Sequence, residues 1–398
     1  MLSGRHPLLA LAAATLLCSA AAAQNAPDIK IGFNGDLSAS PSASSGQAAV
    51  LAMQLAADDL NAKGGLLGRK LVIVARDDLA LPPKSIQNMS DLIDSEKVAA
   101  ILGPTNSGNA MAWKQIPNQK RIPVIVPLAS GSDITKPLSE GADNYMFRVS
   151  MSDRAQVGGL LAYAKADPAA KAIAFAVETT GYGQGGLKDM TEVAALQNLK
   201  PVMIEKFGVA DTDMTSQLTK LKAAGVDTLV VWAQGAPLGH LLRSMDKIGY
   251  FPKVLSSWAA DNPSFIDTAG AKLADRPIFL RTVGPERTPR QQQLFDRLGP
   301  KLNPGAFHLA AHTYDAMMLL ALAITQAGST DGPALRAALE HLNSPHDGFI
   351  KAYDKPFSPT QHEALAGPDY KWAHWQDGKL ATYSDAVTAA LKPADFKQ

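Results

Sequence analysis

The chain has 398 residues, 46% of them hydrophobic and 19% charged, with 38 basic side chains against 37 acidic ones. That length predicts two or three compact units, and the hydrophobic content excludes an intrinsically disordered chain. The near-zero net charge argues against nucleic acid or an anionic membrane surface as a partner.

Residues 1–23 read as a targeting signal. Arg5 and His6 precede an apolar run from Leu8 to Cys18, and small residues lead to Ala21-Ala22-Ala23 ahead of Gln24. This is the three-part layout of a secretory signal with an A-x-A cleavage site. The run is shorter than the roughly 20 apolar residues of a membrane span. Leu16 and Leu17 stand before Cys18 where lipidation needs small residues. Cleavage after Ala23 removes Arg5 and the single cysteine, so the mature chain is formally neutral and has no thiol. It is expected to enter an oxidising compartment as a soluble protein, without a disulfide. Core burial alone then holds the fold.

From Asp28 onward strands and helices alternate. Asp28–Gly32 is a short strand, and Gln47–Ala62 carries Val50, Met53, Ala57 and Leu60 at helical spacing. Lys70–Ala75 is the next strand, Ser85–Glu96 a helix, Ala99–Gly103 a strand, Ala110–Asn118 a helix and Pro123–Pro127 a strand. The rhythm restarts after Arg148: helix Ala155–Lys165, strand Ala172–Val177, helix Gly186–Gln197, strand Pro201–Phe207, helix Ser216–Ala224, strand Thr228–Trp232 and helix Leu238–Ile248. Lys253–Ser256 and Pro277–Leu280 continue it, Thr313–Ala327 and Pro333–Leu342 are helices, and Gly348–Asp354 and Tyr370–Gln376 read as terminal strands. Near-continuous apolar strands of four to six residues imply parallel sheets covered on both faces. The fold class is therefore α/β, with two doubly wound parallel-sheet lobes.

Several segments, in this order, resemble the leucine/isoleucine/valine-binding family of periplasmic solute receptors for ABC importers. They include IKIGFNGDLSAS (29–40), LAADDLNAKGGLLGRKLVIVARDD (55–78), ILGPTNSG (101–108), IPVIVPLASGSDIT (122–135), YMFRVS (145–150), TTGYGQGGL (179–187), LLRSMDKIGY (241–250), FIDTAG (265–270) and TYDAMMLLALAI (313–324). The resemblance covers essentially the whole mature chain. It implies a ligand cleft between two lobes joined by three hinge crossings, near Arg148–Met151, Arg281–Gly284 and Lys351–Lys355. Lobe one is then 28–148 plus 283–352, and lobe two is 149–282 plus 353–398. It further implies a small carboxylate ligand, a membrane permease as partner, a periplasmic location and no enzymatic activity. The receptor is expected to be a monomer.

In open parallel sheets, ligands bind beyond the carboxyl ends of strands. Two hydroxyl-rich loops of lobe one sit there: Thr105-Asn106-Ser107 after one strand and Leu128-Ala129-Ser130 after the next. Such loops can bind a carboxylate through backbone N–H groups, or their serines can be ordinary helix caps. The resemblance gives the Ser107 and Ser130 hydroxyls to a ligand carboxylate, has the Leu128 backbone accept from an ammonium or hydroxyl, and has Tyr182 close over the ligand from lobe two. It also marks two departures. Trp258 stands where relatives that bind leucine-like ligands carry a carboxylate for the ammonium, and Gln234 stands at a position that is often aromatic. Either Asp261 or Asp36 replaces that acid, or the ligand has no ammonium, because a buried unpaired ammonium is costly. The Trp258 face also suits an aromatic or branched acyl group.

Gly181-Tyr182-Gly183-Gln184-Gly185-Gly186 fits G-x-G-x-x-G. A dinucleotide site is nonetheless disfavoured, because Glu178-Thr179-Thr180 separates the strand from the first glycine. No H-E-x-x-H run and no G-x-S-x-G elbow occurs, so no cofactor and no catalytic constellation are expected. A sensory receptor on the same fold remains open beside transport.

Overall fold

The computed structural model describes residues 27–396; the signal segment lies outside the described residues. Five strands form the first sheet: β1 Ile29–Gly35, β2 Leu71–Asp77, β3 Ala100–Leu102, β4 Val124–Val126 and β5 Met146–Arg148. They lie in the order β2-β1-β3-β4-β5, and every pair is parallel. The second sheet begins with β6 Ile173–Glu178, β7 Ile204–Phe207, β8 Thr228–Trp232, β9 Lys253–Ser256 and β10 Pro277–Arg281. After a two-strand ladder, β11 His346–Asp347 and β12 Ala352–Tyr353, the chain adds β13 Lys371–Gln376 and β14 Lys379–Thr382. The order is β14-β13-β10-β9-β8-β6-β7, parallel except for its last two strands. Every residue of β3, β4, β8 and β10 is buried, as expected for strands covered on both faces.

Six helices position the site: α1 Ala43–Asn61, α2 Ser107–Trp113, α3 Asp153–Ala166, α4 Gly181–Leu196, α5 Gly235–Lys247 and α6 Phe307–Ala327. The apolar helix α6 packs along α1 and ends at Gly328, in the left-handed region at φ 59°. Its stretch Pro304–Ala327 is long and apolar enough to cross a membrane, yet 89% of that window is buried inside the protein. It is a core helix. Each fully buried leucine there contributes about 1.5–3 kcal/mol relative to an exposed one.

Among the places where the structure departs from the sequence expectations are these three. The helix expected over 110–118 starts earlier, at Ser107, and is broken at Lys114 into Ser107–Trp113 and Gln115–Lys120. Pro117 accounts for the break, since in a continuous helix its ring would strike the carbonyl of Trp113. The expected strand 348–354 is instead the β11–β12 ladder. Strand β14 was not anticipated. Asp377 and Gly378, both at positive φ (50° and 73°), form a two-residue turn that returns the chain antiparallel to β13.

The chain passes from the first sheet to the second after β5 and comes back after β10. At the end of β5, Arg148 is wholly buried. Its Nε donates to Glu363 Oε2 at 2.7 Å, its Nη2 pairs with Oε1 of the same carboxylate, and its Nη1 donates to the Gly131 carbonyl at 2.7 Å. Backbone bonds from Arg148 N to the His362 carbonyl and from Ala364 N to the Arg148 carbonyl, both 2.9 Å, lay segment 362–364 alongside β5. Removing one partner of a buried pair leaves the other charge uncompensated. Glu363→Ala should therefore destabilise the protein by about 3 kcal/mol, measured as a lower urea midpoint at unchanged slope; a loss below about 1 kcal/mol, the range of an exposed pair, would contradict that role.

Candidate functional site

The carboxyl ends of both sheets meet in one cavity. From the first sheet come Pro41, Ser42 and Ser45 beyond β1, Thr105-Asn106-Ser107 beyond β3 and Leu128-Ala129-Ser130 beyond β4. From the second come Tyr182 beyond β6, Gln234 and Gly235 beyond β8, and Trp258, Ala259 and Asn262 beyond β9, with His308 and Leu309 added by α6. The non-atom space at this junction, open solvent included, is about 590 Å³. Nine of the ten residues singled out in the sequence line this cavity.

Local hydrogen bonds hold the first-sheet loops together. Ser107 Oγ accepts from Gly131 N at 3.1 Å, and Ala129 N donates to the Pro104 carbonyl at 3.2 Å. Thr105 Oγ1 accepts from Asp36 N at 3.0 Å and donates to Asn106 Oδ1 at 2.7 Å, where Ser42 Oγ also donates at 3.2 Å. Ser107 is the first residue of α2, so the N–H groups of that turn have no intrahelical carbonyl to reach. Neither serine is a simple side-chain cap: the cap position before α2 is Asn106, which makes no side-chain cap bond.

Direct contacts cross the cleft. Trp258 Nε1 donates to Ser130 Oγ at 3.2 Å, and Asn262 Nδ2 to Ser45 Oγ at 3.0 Å. At the lip, Ser132 Oγ donates to Asp189 Oδ2 and Lys188 Nζ to Asp133 Oδ2, each at 2.6 Å. A Cβ on Gly181 would lie 2.6 Å from the Gly108 Cα. This backbone approach explains glycine at the head of α4. The motif Gly181–Gly186 lies wholly within α4, capped by Thr180, and not in a loop curled around a phosphate.

The Trp258 indole is fixed from behind. Its backbone N–H donates to Gln156 Oε1 at 2.9 Å, and its ring lies edge-on to His308 and His312, with centroids 6.1 and 6.0 Å away. Burial lowers both histidines below the ordinary range, His312 to about 3, so neither carries charge at neutral pH. Among the described residues, no Asp, Glu, Lys or Arg lines the cavity.

Two acids considered as ammonium partners are engaged elsewhere. Asp261, the tenth residue singled out, does not line the cavity; its Oδ2 accepts from Arg281 Nε at 2.9 Å. Asp36 accepts from the backbones of Ser38, Ala39 and Ser40 and from the hydroxyls of Ser40 and Ser42. Asp153, at the start of α3, was missed. It is fully buried, its N–H donates to the Ser130 carbonyl at 2.8 Å, and neither carboxylate oxygen has a hydrogen-bond partner. Burial, reinforced by the charge of Asp189, pushes its pKa up to about 7. Ser42, Ser45, Asn262, His308 and Leu309 were also missed. The first two fall in the serine cluster 38–45, which offered a polar signal; His308 and Leu309 sit on a helix that reads as core.

The sequence model of the periplasmic binding protein family matches residues 28–375. A Leu/Ile/Val-binding protein homolog 3 from Brucella melitensis is 26% identical over 355 residues, 89% of this chain and 93% of that protein. The LivJ branched-chain amino acid substrate-binding protein of Streptococcus pneumoniae, solved with isoleucine, superposes with a TM-score of 0.74 at 24% identity, covering 89% of this chain and 97% of that one. An ABC-transporter solute-binding protein from Rhodopseudomonas palustris, solved with 3,4-dihydroxybenzoic acid, superposes with a TM-score of 0.74 at 19% identity, covering 90% and 96%.

The raised acid has a consequence for stability. The folded state holds the Asp153 proton more tightly than the unfolded chain does. Its contribution is therefore full below about pH 4 and is lost as pH rises through about 7. Relative to wild type, Asp153→Asn should gain on the order of 2 kcal/mol between pH 5 and 8, read from urea melts across that range. A stability difference independent of pH would contradict the assignment.

Proposed function

The chain belongs to the periplasmic binding protein family, and on that premise we propose that it is the solute receptor of an ABC importer, taking a small carboxylate between its lobes. The reading rests on one observation: the cavity joins the carboxyl ends of both sheets, and its wall carries hydroxyl and backbone N–H groups but no ionised side chain. Such a wall holds an anion by dipoles, as a backbone nest does. The carboxylate is bound by Ser107, Ser130 and the N–H groups of the two first-sheet loops, with Thr105, Asn106, Leu128 and Ala129 shaping that end. Tyr182, Gln234 and Trp258 complete the site from the second sheet.

A ligand touching both sets favours the closed form over the open one, and this differential affinity turns binding into a conformational signal for the permease. The lobes are built on the first and second sheets, with the Arg148–Glu363 pair at the first crossing. A cargo without an ammonium fits the wall best, since neither Asp36 nor Asp261 lines the cavity. The protein binds and releases its ligand without transforming it, works as a monomer, and reaches the periplasm after cleavage of residues 1–23.

Calorimetry on refolded protein, against a panel of aliphatic amino acids, branched acids and aromatic carboxylates, tests the reading. Ser107→Ala and Ser130→Ala should each weaken the best ligand by about tenfold, with the melting temperature of the empty protein lowered by only a few degrees. Unchanged affinity in both variants would overturn the site. Trp258→Ala should cost more, about a hundredfold, because it removes both an apolar wall and an N–H donor.

A further inference from the structure

The cavity is the inner of two chambers. A second space of about 1270 Å³ adjoins it, walled from both sheets by Ala80, Pro82, Val209, Ala210, Ala236 and His240, among other uncharged residues. His240 is held below its ordinary pKa by burial and then by Arg243, which favours the neutral ring at neutral pH. Pro41, Asn106, Tyr182 and Gln234 line both chambers and so form the neck between them.

Two of the neck residues carry a buried polar atom without a hydrogen-bond partner: Gln234 its Oε1, and Tyr182 its hydroxyl, which lies near Ser257 and Ser130. The orientation of the glutamine amide is set by Glu178. Gln234 Nε2 donates to Glu178 Oε1 at 3.2 Å, and Gln234 N donates to Glu178 Oε2 at 2.9 Å. The amide nitrogen is thereby used and the oxygen left as a free acceptor. Tyr182 remains a protonated donor, because burial and the nearby Asp153 charge hold its pKa well above the usual phenol value. Unsatisfied buried groups of this kind are uncommon and costly, and a ligand that pairs with them recovers the loss.

One acceptor and one O–H donor at a neck match a secondary amide, whose N–H meets the first and whose carbonyl meets the second. Inward of the neck lies the neutral wall assigned above to a carboxylate; outward lies an uncharged, largely apolar chamber. Neither chamber offers an anionic side chain to an ammonium. We propose that the ligand is an N-acylated amino acid, with its carboxylate in the inner chamber, its amide at the neck between Gln234 and Tyr182, and its acyl chain in the outer chamber. This rests on the carboxylate reading of the inner chamber and extends it. A free dipeptide fits less well, because its ammonium would lie in the uncharged outer chamber.

The test is calorimetry on the chain from Gln24 to Gln398, refolded free of bound solute, with leucine, N-hexanoyl-leucine, its ester counterpart (2-hexanoyloxy-4-methylpentanoate), a leucyl dipeptide and 4-hydroxybenzoate. N-hexanoyl-leucine should bind at least about tenfold more tightly than leucine and the dipeptide. The ester, lacking the N–H, should bind about tenfold more weakly than the amide. Gln234→Leu should abolish the amide–ester difference. Tyr182→Phe, a smaller change, should weaken both acyl ligands while the empty protein keeps its melting temperature within a few degrees. Leucine, dipeptide or 4-hydroxybenzoate binding as tightly as the acyl-leucine, or an ester equal to the amide, would overturn the inference and leave the carboxylate receptor standing. If none of these carboxylates binds, both readings fall.

Discussion

The backbones at Gly108 and Gly181 meet across the cleft so closely that a Cβ on Gly181 would lie 2.6 Å from the Gly108 Cα. Much of the site's arrangement goes with that approach. It brings the ends of β3 and β6 together, and Trp258 of the second sheet then reaches the Ser130 hydroxyl of the first. It also leaves an inner space of limited size with a neck beside it. The two glycines belong to opposite lobes, each in the first turn of a helix. A larger residue at Gly181 would hold the sheets apart and break the row of cross-cleft bonds, whereas a Cβ on Gly108 would make an ordinary contact at 3.4 Å.

Charge is managed by keeping it off the wall. Arg281 is paired with Asp261, Glu178 accepts from Thr180 and Gln234, and Arg148 is neutralised by Glu363. His308 and His312 are held neutral by burial. The cavity therefore presents neutral dipoles in a low-dielectric surrounding, where an anion interacts strongly with fixed N–H and O–H groups. The ion pairs at the lip, such as Lys188 with Asp133, lie in partly solvated positions and contribute little individually.

The strand–helix rhythm and the loops beyond β3 and β4 were legible because apolar runs and hydroxyl clusters are local signals. Tyr182, Gln234 and Trp258 were legible through the family resemblance, and in the structure they lie four, two and two residues beyond strands of the second sheet. Asp261 was misplaced for a geometric reason. It is three residues from Trp258, but the intervening 3-10 turn sends its carboxylate back toward Arg281 on β10, a partner twenty residues away in sequence. Asp153 was invisible because an acid at the start of a helix ordinarily reads as a favourable N-terminal charge; only the packing around Ser130 shows that its oxygens are buried and unpaired. The break at Lys114 could have been read from Pro117.

Helix α6 places Asp315 near the middle of 21 otherwise mostly apolar residues. In the folded protein that carboxylate is wholly buried and accepts from the N–H groups of Phe349 and Ile350 at 2.8 and 2.9 Å, fastening the β11–β12 loop onto the helix. In the unfolded chain the same group sits where a hydrocarbon slab would be thickest, opposing residence there by about 2.5–3.5 kcal/mol. A single acid thus anchors a loop once the chain has folded and, before that, weighs against the partitioning of its most apolar segment into lipid.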